Sequence, residues 1–315
     1  MKKNIASKLK FICYKVGYYI QASRYEGGLV AIIFLLLGEW YSFQSFHLIY
    51  TMLAMLSILL IVNSGSWINY VFDRELDKHA EKNIEFFRFI SPKEMLFSSF
   101  LSAGLSLLLL FYIDVYLAII GLSLFLVFFI YATPPLRLKT IPPLDILANA
   151  LGFGAIPFLL GYVLLGNPLT NQSIVQIVIV SLLVASYYLF ISYFDIETDR
   201  EFGIKTTCSI LGQRKTIYVG TILFVLSFIL SIYYFAWNDV ILVSITICLP
   251  ILILVNLFRK ITLIRKLVSA LFLIWCNSVS FNLFIKTYSI IPLTLFLVFI
   301  LISITVVHIY LKEEN

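Results

Sequence analysis

Two short stretches of the chain carry oxygen donors at a spacing that suits a divalent cation: Asn69, Asp73 and Asp77 in one, Asp195 and Asp199 in the other. Each set recurs every four residues, so on a helix its members share one face, about 6 Å apart along the axis. Like charges at that spacing repel by a few tenths of a kcal/mol per pair unless a cation bridges them. Mg²⁺ takes oxygen ligands and is usually held by one or two carboxylates plus substrate phosphate. Two facing carboxylate sets therefore predict a site for Mg²⁺ and a diphosphate. The plainer reading is that such acids only partner nearby Lys and Arg, a common surface arrangement worth little. Two sets of the same spacing, at the ends of non-adjacent helices on one side, favour the metal.

The elements that position these residues follow from composition. The 315 residues are 61% hydrophobic and 13% charged, against about 25% charged in a soluble globular chain. Apolar runs near the ~20 residues needed to cross a hydrocarbon core recur at 27–45, 46–70, 95–112, 115–133, 143–166, 173–194, 216–236, 238–257, 267–285 and 288–311. The fold class expected is all-α, a polytopic membrane bundle of nine or ten helices around a cavity open to lipid, in a single domain spanning 1–315.

Basic residues collect on the cytoplasmic side of inserted helices. Of the 23 Lys and Arg, only Lys286 falls outside one alternating set of loops and termini. Both termini and both acidic stretches are then expected on the cytoplasmic side. The net charge of +6 reads as topology and attraction to anionic lipid, with no nucleic-acid footprint. Residues 1–25 lack a signal-peptide pattern, and Ile5 to Tyr19 suits an amphipathic helix lying in the interface. Cys13, Cys208, Cys248 and Cys276 are isolated packing thiols. His47, His79 and His308 are too scattered for a histidine metal site. Trp40 and Trp237 suit an interfacial aromatic belt, and the polar Asn277, Ser278, Ser280 and Asn282 suit hydrogen bonding between helices.

An allylic diphosphate would match both halves of this picture, its charged head at the aqueous mouth and its isoprenoid tail in hydrocarbon. The acidic stretches resemble the motifs of the UbiA superfamily of intramembrane prenyltransferases, NxxxDxxxD after helix two and DxxxD after helix six. The likeness extends to Tyr131-Ala132-Thr133-Pro134-Pro135-Leu136-Arg137-Leu138-Lys139 and to Gly203, Thr206 and Gly212, and covers about residues 20–285. It implies that Asp73, Asp77, Asp195 and Asp199 are catalytic and, with Asn69, ligate Mg²⁺. It implies that Asn69, Arg137, Lys139 and Lys205 contact the diphosphate, and that a prenyl group passes from an isoprenyl diphosphate donor to a hydrophobic acceptor within the lipid bilayer. The acceptor would be a carotenoid, an aromatic quinone precursor or an ether lipid.

Pro143-Leu144-Asp145, Asn149 and the run from Asp195 to Thr207 are most similar to the lycopene elongase branch. Asp145 and Asn149 share a helical face, to meet the acceptor or to bond within the bundle; the second is favoured. The chain departs from the family pattern in three places: 78–88 lacks the usual Arg-Pro and Gly, Arg24 lacks its following proline, and a tenth span replaces the usual nine. A transporter with intramembrane acidic sites is the alternative, but that predicts broken helices and repeated halves.

Overall fold

Within hydrocarbon no water serves backbone N–H and C=O groups, so an apolar run of this length must satisfy them internally, as a helix. The computed structural model describes residues 14–23, 25–79, 89–237, 239–258 and 260–312. Among them ten helices are long and apolar enough to span a membrane: α1 (Tyr25–Phe43), α2 (Leu48–His79), α3 (Pro92–Ile113), α4 (Val115–Ala132), α5 (Leu144–Tyr162), α6 (Asn171–Glu201), α7 (Thr207–Tyr234), α8 (Val240–Leu257), α9 (Ile261–Thr287) and α10 (Ile290–Lys312). The protein is an all-helical polytopic membrane protein, with ten candidate spans among the described residues. Large apolar side chains such as Phe97, Tyr112, Ile119 and Leu301 stand exposed around it, the surface a bilayer would cover.

Small and hydroxylated residues bring the helices together. Lipid tails are as apolar as leucine, so close backbone approach and hydrogen bonds must hold a membrane bundle. Gly38 of α1 faces Gly161 of α5 so closely that a Cβ on Gly38 would lie 2.0 Å from the Phe158 carbonyl oxygen, and one on Gly161 1.9 Å from that of Leu35. Across α2 and α3, Ser99 donates to the Ser64 carbonyl, Ser102 to Leu60 and Ser106 to Ser57, each at 2.9 Å. Ser186 of α6 donates to the Gly220 carbonyl of α7 at 2.7 Å. Asn277 of α9 reaches Ser303 of α10 and Ser278 reaches Ser244 of α8, the interhelical role expected of that polar run, whereas Ser280 and Asn282 bond within α9, to Cys276 and Ser278.

Helix ends depart from the expected boundaries where charge hid them. α2 continues unbroken through the first acidic stretch to His79. Inside α5, Pro157 has no N–H to give Phe153, and Leu151–Ala155 widens into a π turn closed by the Ile156 N–H on the Leu151 carbonyl. Trp40 corrects one expectation: it is buried in the core and not at an interface, because its face of α1 packs inward. Trp237 is 80% exposed. Cys208, Cys248 and Cys276 are free and buried. The amphipathic segment lies mostly outside the described residues; its end, helical over 14–22, docks by Lys15 on Glu94 and Tyr19 on Ser98. Cys13, Arg24 and the loop 80–88 fall outside the described residues, as does the side chain of His79.

Candidate active site

The continuity of α2 sets Asn69, Asp73 and Asp77 on successive turns. Asp73 is 8% exposed, and burying a carboxylate demands compensation. It comes from the loop between α4 and α5. Arg137 Nη2 donates to Asp73 Oδ1 at 2.7 Å, and Lys139 Nζ donates to both Asp73 oxygens and to Asn69 Oδ1 at 2.8 Å. Local geometry turns the loop toward α2. Arg137 sits in the left-handed region (φ 39°, ψ 60°) ahead of a 3₁₀ turn over Leu138–Thr140. A non-glycine residue there costs of order 1 kcal/mol, held in place by what the side chains reach.

The second acidic stretch is built by a change of helix type. α6 tightens to a 3₁₀ turn at Tyr193–Asp195 and resumes over Ile196–Glu201, after which Gly203, at φ +66°, turns the chain. Thr206 then caps α7, its Oγ1 accepting from Ser209 N–H, while the same hydroxyl donates to Asp199 Oδ2 at 2.9 Å. Arg200 Nε donates to the Ser209 carbonyl at 2.8 Å. Gly212, at φ +75°, kinks α7 over that guanidinium; a Cβ there would meet Arg200 Nη2 at 3.1 Å. Behind this turn stands Asp145 of α5, fully buried, accepting from Thr207 N–H at 2.8 Å and from the Thr207 hydroxyl.

Both stretches border one cavity of about 650 Å³. Its polar end is lined by Asn69, Asp73, Arg137, Lys139, Asp195 and Asp199, and its walls include Phe34, Phe128, Phe153, Phe272 and Trp275. Six of the eight residues expected to act on the diphosphate or metal thus meet at this cavity. Asp77, half-buried one turn further along α2, and the exposed Lys205 do not line it. Glu26, Tyr131 and Tyr188 also line it and were not singled out from the sequence as site residues. Glu26 and Tyr131 lie within stretches that resemble the family pattern; Tyr188, among 19 tyrosines, has no such signal. Asn149 lines the wall too, its amide donating to the Asp145 carbonyl at 2.8 Å.

The polar-end donors are carboxylate and amide oxygens, which suit a hard cation such as Mg²⁺. Among the described residues no three His, Cys, Asp or Glu side chains cluster tightly enough to hold an ion alone. A cation at either aspartate pair would take most of its shell from water and phosphate oxygens, the usual arrangement for Mg²⁺.

A membrane bundle whose cavity is charged at one end and aromatic along its depth defines a class of protein that handles amphiphiles with anionic heads. The UbiA prenyltransferase family model matches residues 29–277, and the chain belongs to that family; it is a prenyltransferase. A lycopene elongase/hydratase of Haloarcula japonica is 28% identical over 214 residues, 64% of this chain and 70% of that protein. A UbiA homologue from Archaeoglobus fulgidus, solved with GPP and Mg²⁺, superposes with a TM-score of 0.64 at 19% identity, over 86% of this chain and all of that one. A digeranylgeranylglyceryl phosphate synthase structure gives 0.63 at 22% identity, over 87% and 98%. These likenesses bear on the fold; the family match carries the activity.

Proposed function

We propose that the enzyme transfers a prenyl group from an isoprenyl diphosphate to the end of a long unsaturated hydrocarbon of carotenoid type. The observation that carries this reading is the meeting of both aspartate stretches and the Arg137–Lys139 loop at the polar end of one aromatic-walled cavity. Asn69, Asp73, Asp77, Asp195 and Asp199 would hold Mg²⁺, which when bound supplies positive charge to the departing diphosphate. Asn69 also stands where it can contact the diphosphate, and Arg137 and Lys139 are cations within reach of a phosphate there. Lys205, exposed beside the second stretch, is assigned to the diphosphate on resemblance alone. The carotenoid-type acceptor is supported by the elongase relative and by the Asp195–Thr207 run.

The chain's own residues then bind the head, exclude water along the aromatic walls and orient the tail. Rings along the wall lower the energy of an allylic carbocation by about 0.5–2 kcal/mol per well-placed face. The distribution of Lys and Arg supports a cytoplasmic mouth and cytoplasmic termini.

The test is turnover of purified protein with labelled isoprenyl diphosphates and a panel of acceptors, carotenoid, aromatic and glycerol ether, with and without Mg²⁺, beside Asp73→Ala and Asp195→Ala. Transfer to the carotenoid, abolished in both variants and without metal, is expected. Transfer only to an aromatic ring or an ether lipid would replace the acceptor; metal-independent turnover, or full activity of both variants, would remove the mechanism.

A further inference from the structure

Prenyl transfer to an alkene leaves a carbocation that ends either by capture of water or by loss of a proton, and the diphosphate chemistry at the mouth does not say where such a proton goes. Tyr188 lies seven residues before Asp195 on α6, about 10 Å deeper along the helix axis, and lines the cavity. A donor whose head is held at Asp195 would run its tail past this ring. The Tyr188 hydroxyl lies 3.4 Å from Asp145 Oδ2 and stands beside Tyr131 and Ser192, both of which line the cavity. Its neighbour Tyr187 is used differently, donating to the Val268 backbone carbonyl of α9 at 3.0 Å, a purely structural bond.

Asp145 serves two elements at once. Toward α7 it accepts from the backbone and hydroxyl of Thr207, contacts that an Asn could also make, its amide oxygen accepting from the N–H and its amide nitrogen donating to the hydroxyl. A fully buried carboxylate is a costly way to make that bond. What the carboxylate adds over an amide is a proton acceptor behind a phenol in the cavity wall.

We propose that Tyr188, backed by Asp145, receives the proton lost from the acceptor after prenyl transfer. The inference rests on the alkene-acceptor reading above. The acceptor's double bond attacks the allylic carbon as the carbon–oxygen bond to diphosphate breaks, leaving a carbocation on the acceptor. An adjacent C–H bond then breaks and its electrons form the new double bond. The proton passes to the Tyr188 oxygen while the phenolic proton moves to Asp145 Oδ2. Tyr188 is the catalytic residue and Asp145 a positioning residue acting through it. Without the pair, the carbocation persists long enough for water to capture it, and the product becomes a tertiary alcohol.

The experiment compares wild type, Tyr188→Phe and Asp145→Asn for the ratio of new alkene to alcohol formed per diphosphate released, by mass spectrometry. Tyr188→Phe removes a single oxygen and Asp145→Asn keeps a hydrogen-bonding partner for Thr207, so the ratio is readable even at reduced rate. The alkene share is expected to fall at least tenfold in both, with alcohol rising in its place. A ratio equal to wild type in either variant would overturn the relay and leave the leaving diphosphate as the base. A wild-type enzyme that couples to the acceptor but yields only alcohol would overturn the relay alone, and one that releases diphosphate but couples to no alkene would overturn the acceptor reading and the relay together.

Discussion

Lys139 separates a chemical role from a topological one. Basic loops collect on one side of a membrane whatever their function, so an anchoring lysine tolerates Met. Lys139 is not placed as an anchor: its side chain is 13% exposed, against 11% for Asp73, and it reaches both Asp73 and Asn69. In Lys139→Met the apolar stem keeps its packing while the ammonium is lost. Arg137 still pairs with Asp73 at 2.7 Å, so the carboxylate is not orphaned, and the stability cost should stay near the low end for a charge-assisted bond, about 1.5 kcal/mol. Catalysis should suffer more. A preorganised donor aimed at charge that grows in the transition state is worth about 2.7–4 kcal/mol. At 1.36 kcal/mol per decade that is a loss of roughly 100- to 1000-fold in kcat/KM. The assay is diphosphate release against donor concentration in detergent or nanodiscs, with thermal melting alongside. A variant that melts near wild type and keeps kcat/KM within threefold would refute the reasoning and return Lys139 to anchoring.

Gly161→Ala or Gly38→Ala should destabilise the bundle by about 3 kcal/mol or more, because the added carbon meets backbone oxygen about 2 Å away and backbone cannot rotate aside; Gly104→Ala, with nothing within 4 Å, should be neutral or gain up to about 1 kcal/mol, and melting of the three variants checks the order. Removing Mg²⁺ with EDTA should cut prenyl transfer at least 100-fold and Mn²⁺ should restore it, since both suit oxygen ligands; isotope-labelled product counts decide it. Asp239, in the turn before α8, has its pKa raised by burial, partly offset by donors from Tyr41, Ile241 and Leu242. A raised carboxylate favours the fold while protonated, so its contribution is complete below the unfolded value near 3.9 and is lost as pH rises through the higher folded value. Asp239→Asn should flatten that part of the melting-temperature profile, and an unchanged slope would exclude the residue as its source.

Much of the bundle is legible because hydropathy and length are local properties: each of the ten apolar runs became a helix. The aspartate pairs are legible for the same reason, since i and i+4 on a helix needs no tertiary knowledge. What local pattern cannot supply is partners far apart in sequence. Lys139 meets Asp73 across 66 residues and Asp145 meets Thr207 across 62, and neither pairing leaves a periodic trace. Charges near a helix end also mislead, because they read as a boundary when α2 in fact runs on through them. Trp40 shows the converse error, an indole near a span's end that faces the core. Of the 28 Phe and 19 Tyr, only packing reveals which form the cavity wall.

The acids of this protein sort by the identity of their donors. At the far end of α1, Glu39 is fully buried and accepts from the turn into α2, from His47 N–H at 2.9 Å and the Thr51 hydroxyl at 2.8 Å, with the His47 imidazole 3.9 Å away. Asp114 takes the Tyr116 N–H at 2.7 Å, and Asp239 takes the first N–H groups of α8 together with the Tyr41 hydroxyl of α1 at 2.6 Å. Each closes a turn or ties helix ends with neutral donors. Asp73 is served instead by two cations from a distant loop held partly in a left-handed conformation, an expensive arrangement for a turn but a fitting one where a polyanion must dock. Burial alone therefore does not mark Asp73 out; its two cationic partners at the cavity's polar end do. Asp145 belongs to neither group: Thr207 satisfies it, yet it also touches Tyr188, a phenol of the cavity wall, whereas Tyr41, the phenol that meets Asp239, is not part of that wall.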